Sequence, residues 1–347
     1  MKNSDENTKE DCLTGACPVP DAPDPSIVKL SEGGGGREMK SFLDDMLGKH
    51  FTFRGDWKNV SDDGATLKLG DQTLVFTTDS YVVTPIFFPG GNIGTVAYCG
   101  TVNDLAVMGA KPLGISLGLI LEEGLPKSEL DTILETIGAL SKEHGIPIVT
   151  GDTKVMERGA IDKIVINTSG VGIVDTPLDA KVEPGDHIIV SGGIGEHGTA
   201  LLARRFELET DLVSDSKPLF EEIEAIHSHI KQARDITRGG LASVLNEIAE
   251  KNSVRFLINE ESVPMKQEVE ALTQVLGIEV YNLACEGRFV CFASPKECAE
   301  VLKKLKKFNP MAAKIGEVQK GKDVIVQTRF GQKMLSMPLG EVVPRIC

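Results

Sequence analysis

Aromatic side chains are scarce in this chain: they make up 5% of it and Trp57 is the single tryptophan, so no stacking platform for bases or sugars is in view. Basic charge is short as well. A formal net charge of −14 argues against nucleic acid as a partner, because phosphate backbones are held by clustered Lys and Arg. The one dense basic run, Lys303 to Lys307, is interrupted by leucine and reads as the solvated face of a helix. No apolar run is long enough for a membrane span and no secretory leader is evident. Seven cysteines, an odd number without a regular framework, fit a reducing cytoplasm better than a disulfide scaffold. A P-loop is missing too: Gly36-Arg37-Glu38-Met39-Lys40-Ser41 lacks the glycine before the lysine.

What is present is enough apolar residue, 41% of 347, for two packed domains. Residues 1–26 are polar and rich in proline and are expected to be a disordered extension. Cys12 and Cys17 in it have no second ligand pair nearby, which favours a redox-sensitive segment over a metal site. Met39, Phe42, Leu43, Met46 and Leu47 recur at helical spacing directly after a run of glycines. A strand over Thr73–Thr77 ends near Asp79, a helix spans Val96–Met108, and a strand covers Ile115–Leu121. Leu130, Ile133, Leu134 and Ile137 mark an amphipathic helix with Ser128 as N-cap and Gly145 as its stop. Strands over 146–150 and 164–174 complete a first αβ domain, 27–178. A second αβ domain, 179–338, opens at Pro184-Gly185-Asp186 and holds strands near 187–190, 289–292 and 324–327, with helices over 199–205 and around Leu241–Ile248 and Val301–Leu305. Residues 339–347 form a tail, expected to be mobile.

Gly193-Ile194-Gly195-Glu196-His197-Gly198 matches the dinucleotide-binding G-x-G-x-x-G pattern between a strand and a helix. A Rossmann unit would need a second buried strand soon afterwards, whereas 207–230 is acidic and helix-like. A structural or substrate-facing loop is the better reading. The final residue of the sequence, Cys347, lies at the end of Pro344-Arg345-Ile346-Cys347. Prenylation requires the cysteine four residues from the end, so that reading fails. A thiol at a chain terminus can enter a pocket, take up an acyl-type group as a thiolate and leave again. Asp79, Asp104, Asp152 and Asp235 each lie near an element boundary with small polar neighbours. Singly, each is a helix cap or a turn aspartate; together they would form a hard oxygen shell for Mg²⁺ against a triphosphate. Gly33, Gly34, Gly35 and Gly36, and Gly239-Gly240 after Thr237-Arg238, could offer backbone N–H groups to phosphate.

The blocks GGGGR, TTDSYVVTPIFFPGGNIG, GTVNDLAVMGA, VTGDTKV, SGGIGEHG, TRGG, ACEGR and the terminal PRIC resemble the HypE family of hydrogenase maturation carbamoyl dehydratases over residues 27–347. NDLAVMGA and TRGG are shared with the wider superfamily of aminoimidazole ribonucleotide synthetase, selenophosphate synthetase and thiamine-monophosphate kinase, whereas PRIC distinguishes HypE. The resemblance implies a mixed α/β, two-domain PurM-like fold that pairs as a homodimer and binds ATP and Mg²⁺ between its domains. It implies a HypF-type carbamoyltransferase as donor and a HypC–HypD-type iron scaffold as acceptor. Under it, Cys347 carries the carbamoyl group, the four aspartates, with Thr153, Arg238 and the glycines, form the Mg²⁺ and ATP shell, and Lys154 neutralises the transferring phosphoryl group. Glu286, in Cys285-Glu286-Gly287-Arg288, is the expected base, His197 is an alternative proton-transfer residue, and Pro344 and Arg345 dock the tail. Two rivals remain at this stage, another ATP-dependent phosphotransferase of the superfamily and a non-catalytic thiol carrier.

Overall fold

A computed structural model describes residues 26–340 and 342–347. The extension expected over 1–26, with Cys12 and Cys17, lies outside the described residues apart from Ser26. After the glycine run comes helix α1 (Gly36–Phe42), which continues as a π-helical segment over Leu43–Gly48. The first half then runs β1 (Ala65–Leu69), β2 (Gln72–Tyr81), short strands β3 (Phe87–Phe88) and β4 (Gly91–Asn92), α2 (Ile93–Val107), β5 (Lys111–Glu122), α3 (Lys127–His144), β6 (Ile148–Met156) and β7 (Ile164–Val174).

The main sheet of this half has the order β1-β2-β7-β5-β6, with β5 and β6 parallel and the other pairs antiparallel. β7 alternates buried and half-buried residues along its whole length, the period-2 signature of a strand with one face on the core. α2 packs on that face and is buried on every side. Its start is fixed by a capping box: the Asn92 side chain accepts from Gly94 N at 2.8 Å, and Thr95 Oγ1 accepts from Asn92 N at 3.1 Å. α3 ends at Gly145 in the left-handed region (φ 67°), as the glycine stop requires, but begins at Lys127 after Pro126, so Ser128 is inside the helix rather than its cap.

The second half comprises β8 (His187–Val190), α4 (Glu196–Arg205), α5 (Phe220–Ile226), β9 (Gln232–Asp235), α6 (Gly240–Asn252), β10 (Val254–Asn259), α7 (Gln267–Leu276), β11 (Phe289–Ala293), α8 (Cys298–Leu305), β12 (Ala313–Lys320), β13 (Val324–Thr328) and β14 (Gly331–Met334). They form a sheet of order β14-β13-β10-β12-β8-β11-β9. Both neighbours of β8 are antiparallel to it, which excludes the parallel βαβ unit that a dinucleotide fingerprint at Gly193–Gly198 would need.

The two halves share apolar contacts: Ala106 and Val107 of α2 pack with Leu219, Ile223 and Ala233. The last residues return to the junction of the two halves, where Val343 and Ile346 are buried in one cluster with Val83 and Ile86 of the first half and Leu201 and Leu202 of α4. Among the described residues no helix is long and apolar enough to cross a membrane.

Candidate active site

Strand β2 carries Thr77, Asp79 and Tyr81, and α2 lies across it with Gly100, Thr101 and Asp104 facing down. Gly100 is required for this approach, since a Cβ there would fall 2.3 Å from the Tyr81 hydroxyl. Thr77 Oγ1 donates to Asp104 Oδ2 at 2.6 Å and the Tyr81 hydroxyl donates to Asp79 Oδ2 at 3.2 Å. β9 delivers Asp235 from the second half, and the turn after it delivers Thr237 and Arg238. Arg238 sits 3.6 Å from Asp79 and donates to the Gly33 carbonyl at 3.3 Å. Asp79, Tyr81, Gly100, Asp104, Asp235, Thr237 and Arg238, together with Glu286 and Cys347, line a cavity of about 20 Å³.

Asp104 and Asp235 meet a third carboxylate, Asp63, with one ligand oxygen from each lying within 4.8 Å of the others. Asp63 was missed in the sequence. It stands in the turn Ser61-Asp62-Asp63-Gly64, where an acidic pair before glycine reads as ordinary turn chemistry. Arg234, whose Nε lies 2.6 Å from Asp63, balances part of this charge. Burial still dominates: it raises the Asp63 carboxyl to about 6 and pushes Asp104 and Asp235 well above the usual carboxylate range, with mutual repulsion adding to it. Asp63 Oδ2 has no hydrogen-bond partner among the described residues. Three convergent carboxylates, one with an orphaned oxygen, fit a hard divalent cation such as Mg²⁺.

Glu286 is held by its backbone. Its N–H donates to Asp215 Oδ1 at 2.9 Å, and its carbonyl accepts from the Asn103 side chain at 3.2 Å. The neighbour of Asp104 thus pins the loop that presents the acid. Arg288 bonds Glu196 at 3.2 Å and lies 3.7 Å from Asp215, tying the same loop to the start of α4. The Glu286 side chain is 2% exposed and its Oε1 has no partner among the described residues. Burial, then the nearby Asp235, Asp215 and Asp79, push its pKa well up. Cys347 is half-buried and lines the same cavity as Glu286; its thiol is likewise pushed up, by burial first and Glu286 second, with Arg238 opposing.

The tail is docked. Val82 N donates to the Cys347 carbonyl at 3.4 Å, Thr84 N and Arg205 Nη2 donate to the Arg345 carbonyl at 3.1 and 2.7 Å, and His197 Nε2 lies 2.9 Å from the Ile346 carbonyl. Arg345 pairs with Asp162 at 2.7 Å, while Pro344 is exposed.

Three of the expected groups have a different setting in the fold. Asp152, Thr153 and Lys154 do not join the site within this chain: they lie exposed on β6, the outermost strand, with β7 and β5 between them and Asp79. His197 does not face the reacting groups. Both its ring nitrogens are engaged, with Ser214 Oγ at 2.7 Å and Ile346, and burial lowers its pKa to about 4. The start of α1 is not open to phosphate, because Arg37 N and Glu38 N donate to the Pro338 and Leu339 carbonyls. Gly35 and Gly36 both have φ near +80°; a Cβ on Gly36 would meet the Pro338 carbonyl at 2.6 Å, and one on Gly35 would meet Arg238 at 3.0 Å. Gly34 and Gly239 lie with Arg238 beside Val343 and Ile346, and Gly240 opens α6.

Models of the AIR synthase related protein family match both halves, the N-terminal domain over residues 61–174 and the C-terminal domain over 183–329. The chain is 43% identical to the carbamoyl dehydratase HypE of Rhizobium leguminosarum bv. viciae over 92% of its length and 95% of that protein. It is 39% identical to HypE of Escherichia coli, over 92% and 99%. The chain belongs to the HypE family. Among solved structures, the HypE–HypF complex superposes with a TM-score of 0.80 at 37% identity, covering 86% of this chain and all of that one. HypE in complex with ATP gives 0.76 at 38% identity, covering 92% of this chain and all of that one. A thiamine-monophosphate kinase structure from Aquifex aeolicus, at 19% identity and a TM-score of 0.64, shares the fold.

Proposed function

We propose that the chain is the ATP-dependent carbamoyl dehydratase of [NiFe]-hydrogenase maturation, acting on a carbamoyl group carried by its own Cys347 and converting the thiocarbamate to a thiocyanate, the source of the cyanide ligands of the active-site iron. The observation that carries this reading is that Cys347 lines one small cavity together with Glu286, Asp79, Asp104 and Asp235. A phosphotransferase acting on a free small molecule would gain nothing from filling its acidic cavity with its own tail.

The chemical problem is that amide oxygen is a poor leaving group. ATP supplies the γ-phosphoryl group that lets it depart as phosphate, and Mg²⁺ held by Asp63, Asp104 and Asp235 would stabilise the charge developed in that transfer. Arg238 adds a fixed positive charge beside the thiol. Of the two nitrogen protons, one leaves to phosphate or solvent as the amide oxygen takes the phosphoryl group, and Glu286, with an oxygen free and a raised pKa, accepts the second as phosphate departs and the C≡N bond forms. Overall, thiocarbamate and ATP become thiocyanate, ADP and phosphate.

Loading needs the tail outside. In the docked state the thiol is held neutral, so it is a poor nucleophile toward the carbamoyl donor, a HypF-type protein. Energetics permit release. Burying Val343 and Ile346 contributes roughly 3–6 kcal/mol and the four tail hydrogen bonds about 4, against roughly 6–12 kcal/mol of backbone entropy for ordering residues 342–347. The two sides balance within a few kcal/mol, which suits an arm that comes and goes.

Partner and domain assignments extend the reading. β6 is an unprotected edge strand with Val149, Val155 and Met156 exposed, a surface suited to pairing with a second copy in a homodimer. Such pairing would put Asp152, Thr153 and Lys154 at the subunit interface. A HypC–HypD-type iron scaffold is the acceptor for the thiocyanate carbon. The boundary between the domains falls near residue 178, between the two sheets. Intact-mass analysis of the full chain with a HypF-type enzyme, carbamoyl phosphate and ATP tests the central step. Removing Cys347 should abolish both the carbamoyl adduct and the dehydrated species; either mass change persisting in the truncated protein would exclude the thiol as carrier.

A further inference from the structure

His197 is fully buried, and its two nitrogens are committed away from the carboxylates. The Ile346 carbonyl can only accept, so Nε2 bears the proton and donates, and Nδ1 accepts from the Ser214 hydroxyl. Ser214 is fixed in turn, its N–H donating to the Pro89 carbonyl at 2.8 Å while its Oγ accepts from Ser216 N at 3.1 Å. Phe88 closes the ring edge-on, with centroids 5.4 Å apart. The next residue, Gly198, lets the tail lie directly on α4: a Cβ there would stand 3.3 Å from Ile346 Cδ1 and 3.2 Å from Leu283 Cβ.

We propose that His197 is the positioning residue of the tail, a neutral latch on the Ile346 carbonyl that fixes where the next residue, Cys347, meets Glu286. This rests on the reading of Cys347 as carrier. The latch binds backbone, so it is indifferent to what the thiol carries and can grip the tail before and after loading. It also sits one residue from the thiol, so losing it should change the docked fraction and alignment of Cys347 without touching the carboxylates.

The test is the rate at which iodoacetamide alkylates Cys347 in the full chain without nucleotide, resolved by peptide mass spectrometry. His197→Leu, which keeps bulk but loses the donor, should label on the order of tenfold faster, the equivalent of one lost buried hydrogen bond. His197→Gln, with a planar N–H donor, should restore labelling to within about threefold of wild type. Ser214→Ala, which loosens the ring, should fall between them. In a second arm, His197→Leu should accept the carbamoyl group at the wild-type rate and dehydrate it more slowly, again with rescue by His197→Gln. Wild-type labelling in His197→Leu, or no rescue by His197→Gln, overturns the proposal. If His197→Leu fails to fold, wild-type labelling in Ser214→Ala overturns it. Alkylation is independent of dehydration, so failure of the dehydratase reading would leave the labelling result intact.

Discussion

Mild acid should destabilise this protein through His197 in a way that one substitution removes. The imidazole is buried, its folded pKa is lowered from 6.5 to about 4, and the cause is first desolvation, then the like charge of Arg205, opposed by the Ile346 carbonyl. The folded state therefore binds fewer protons at this site than the unfolded chain between those two values. The contribution is complete above pH 6.5 and is lost as pH falls toward 4. A shift of about 2.5 units at roughly 1.36 kcal/mol each amounts to about 3 kcal/mol in total, of which about 2 kcal/mol is gone at pH 5. Urea unfolding of wild type and His197→Gln, near pH 7.5 and near pH 5, measures the difference of differences. That comparison is needed because Asp63, raised to about 6, works in the opposite direction: its stabilisation is present below its unfolded value of 3.8 and lost as pH rises through 6. Wild type should lose about 2 kcal/mol more than His197→Gln on acidification; parallel losses would refute the assignment of a neutral, buried imidazole.

Glu286→Gln should still accept the carbamoyl group but accumulate undehydrated thiocarbamate, with the step slowed by about 10² to 10⁴ in single-turnover mass spectrometry; dehydration at wild-type rate would remove Glu286 as the base. Asp63→Asn and Asp104→Asn should abolish the rise in melting temperature given by Mg²⁺ with ATP, whereas Asp152→Asn should retain it in a monomeric form, and sedimentation beside the melt checks that form. Val155→Lys on β6 should weaken self-association, seen as a shift toward monomer in light scattering; an unchanged dimer would move the interface elsewhere.

Long periodic elements were legible in the sequence, and so was the chemistry of single residues. α3 announced itself by Ile133 and Ile137 on one face and Gly145 as its stop, and β7 by its apolar run. β9, β10 and β12 left weaker traces because their neighbours, not their own alternation, decide their burial: β9 is four residues long and packs as an edge beside β11. Glu286, Arg238 and Cys347 could be named from local sequence, but their meeting required a tail that crosses back to the first half. VTGDTKV sits in the fold differently from its local reading. Glycine and aspartate suggest the end of a strand, yet Gly151 and Asp152 lie within β6, where a Cβ on Gly151 would stand 2.3 Å from the Leu117 carbonyl. Asp63 escaped because an acidic pair in a turn carries no sign of the two strands and one helix that surround it. Arg234 became visible only with it, as the cation beside Asp63 that also lowers Asp235.

The cavity around Cys347, about 20 Å³, has room for little more than a single water molecule. A nitrile attached to sulfur is open to attack by water, which would regenerate the very amide that ATP was consumed to remove. With Val343 and Ile346 sealing the approach and the Cys347 backbone bonded to Val82, the arm that presents the reactant also acts as the stopper of its own flask. Hydrolytic loss then becomes a question of how long the tail stays in after the C≡N bond has formed. A partner that takes the group directly from the emerging tail would receive it before bulk solvent does, so the lifetime of the docked state governs how much is lost to water.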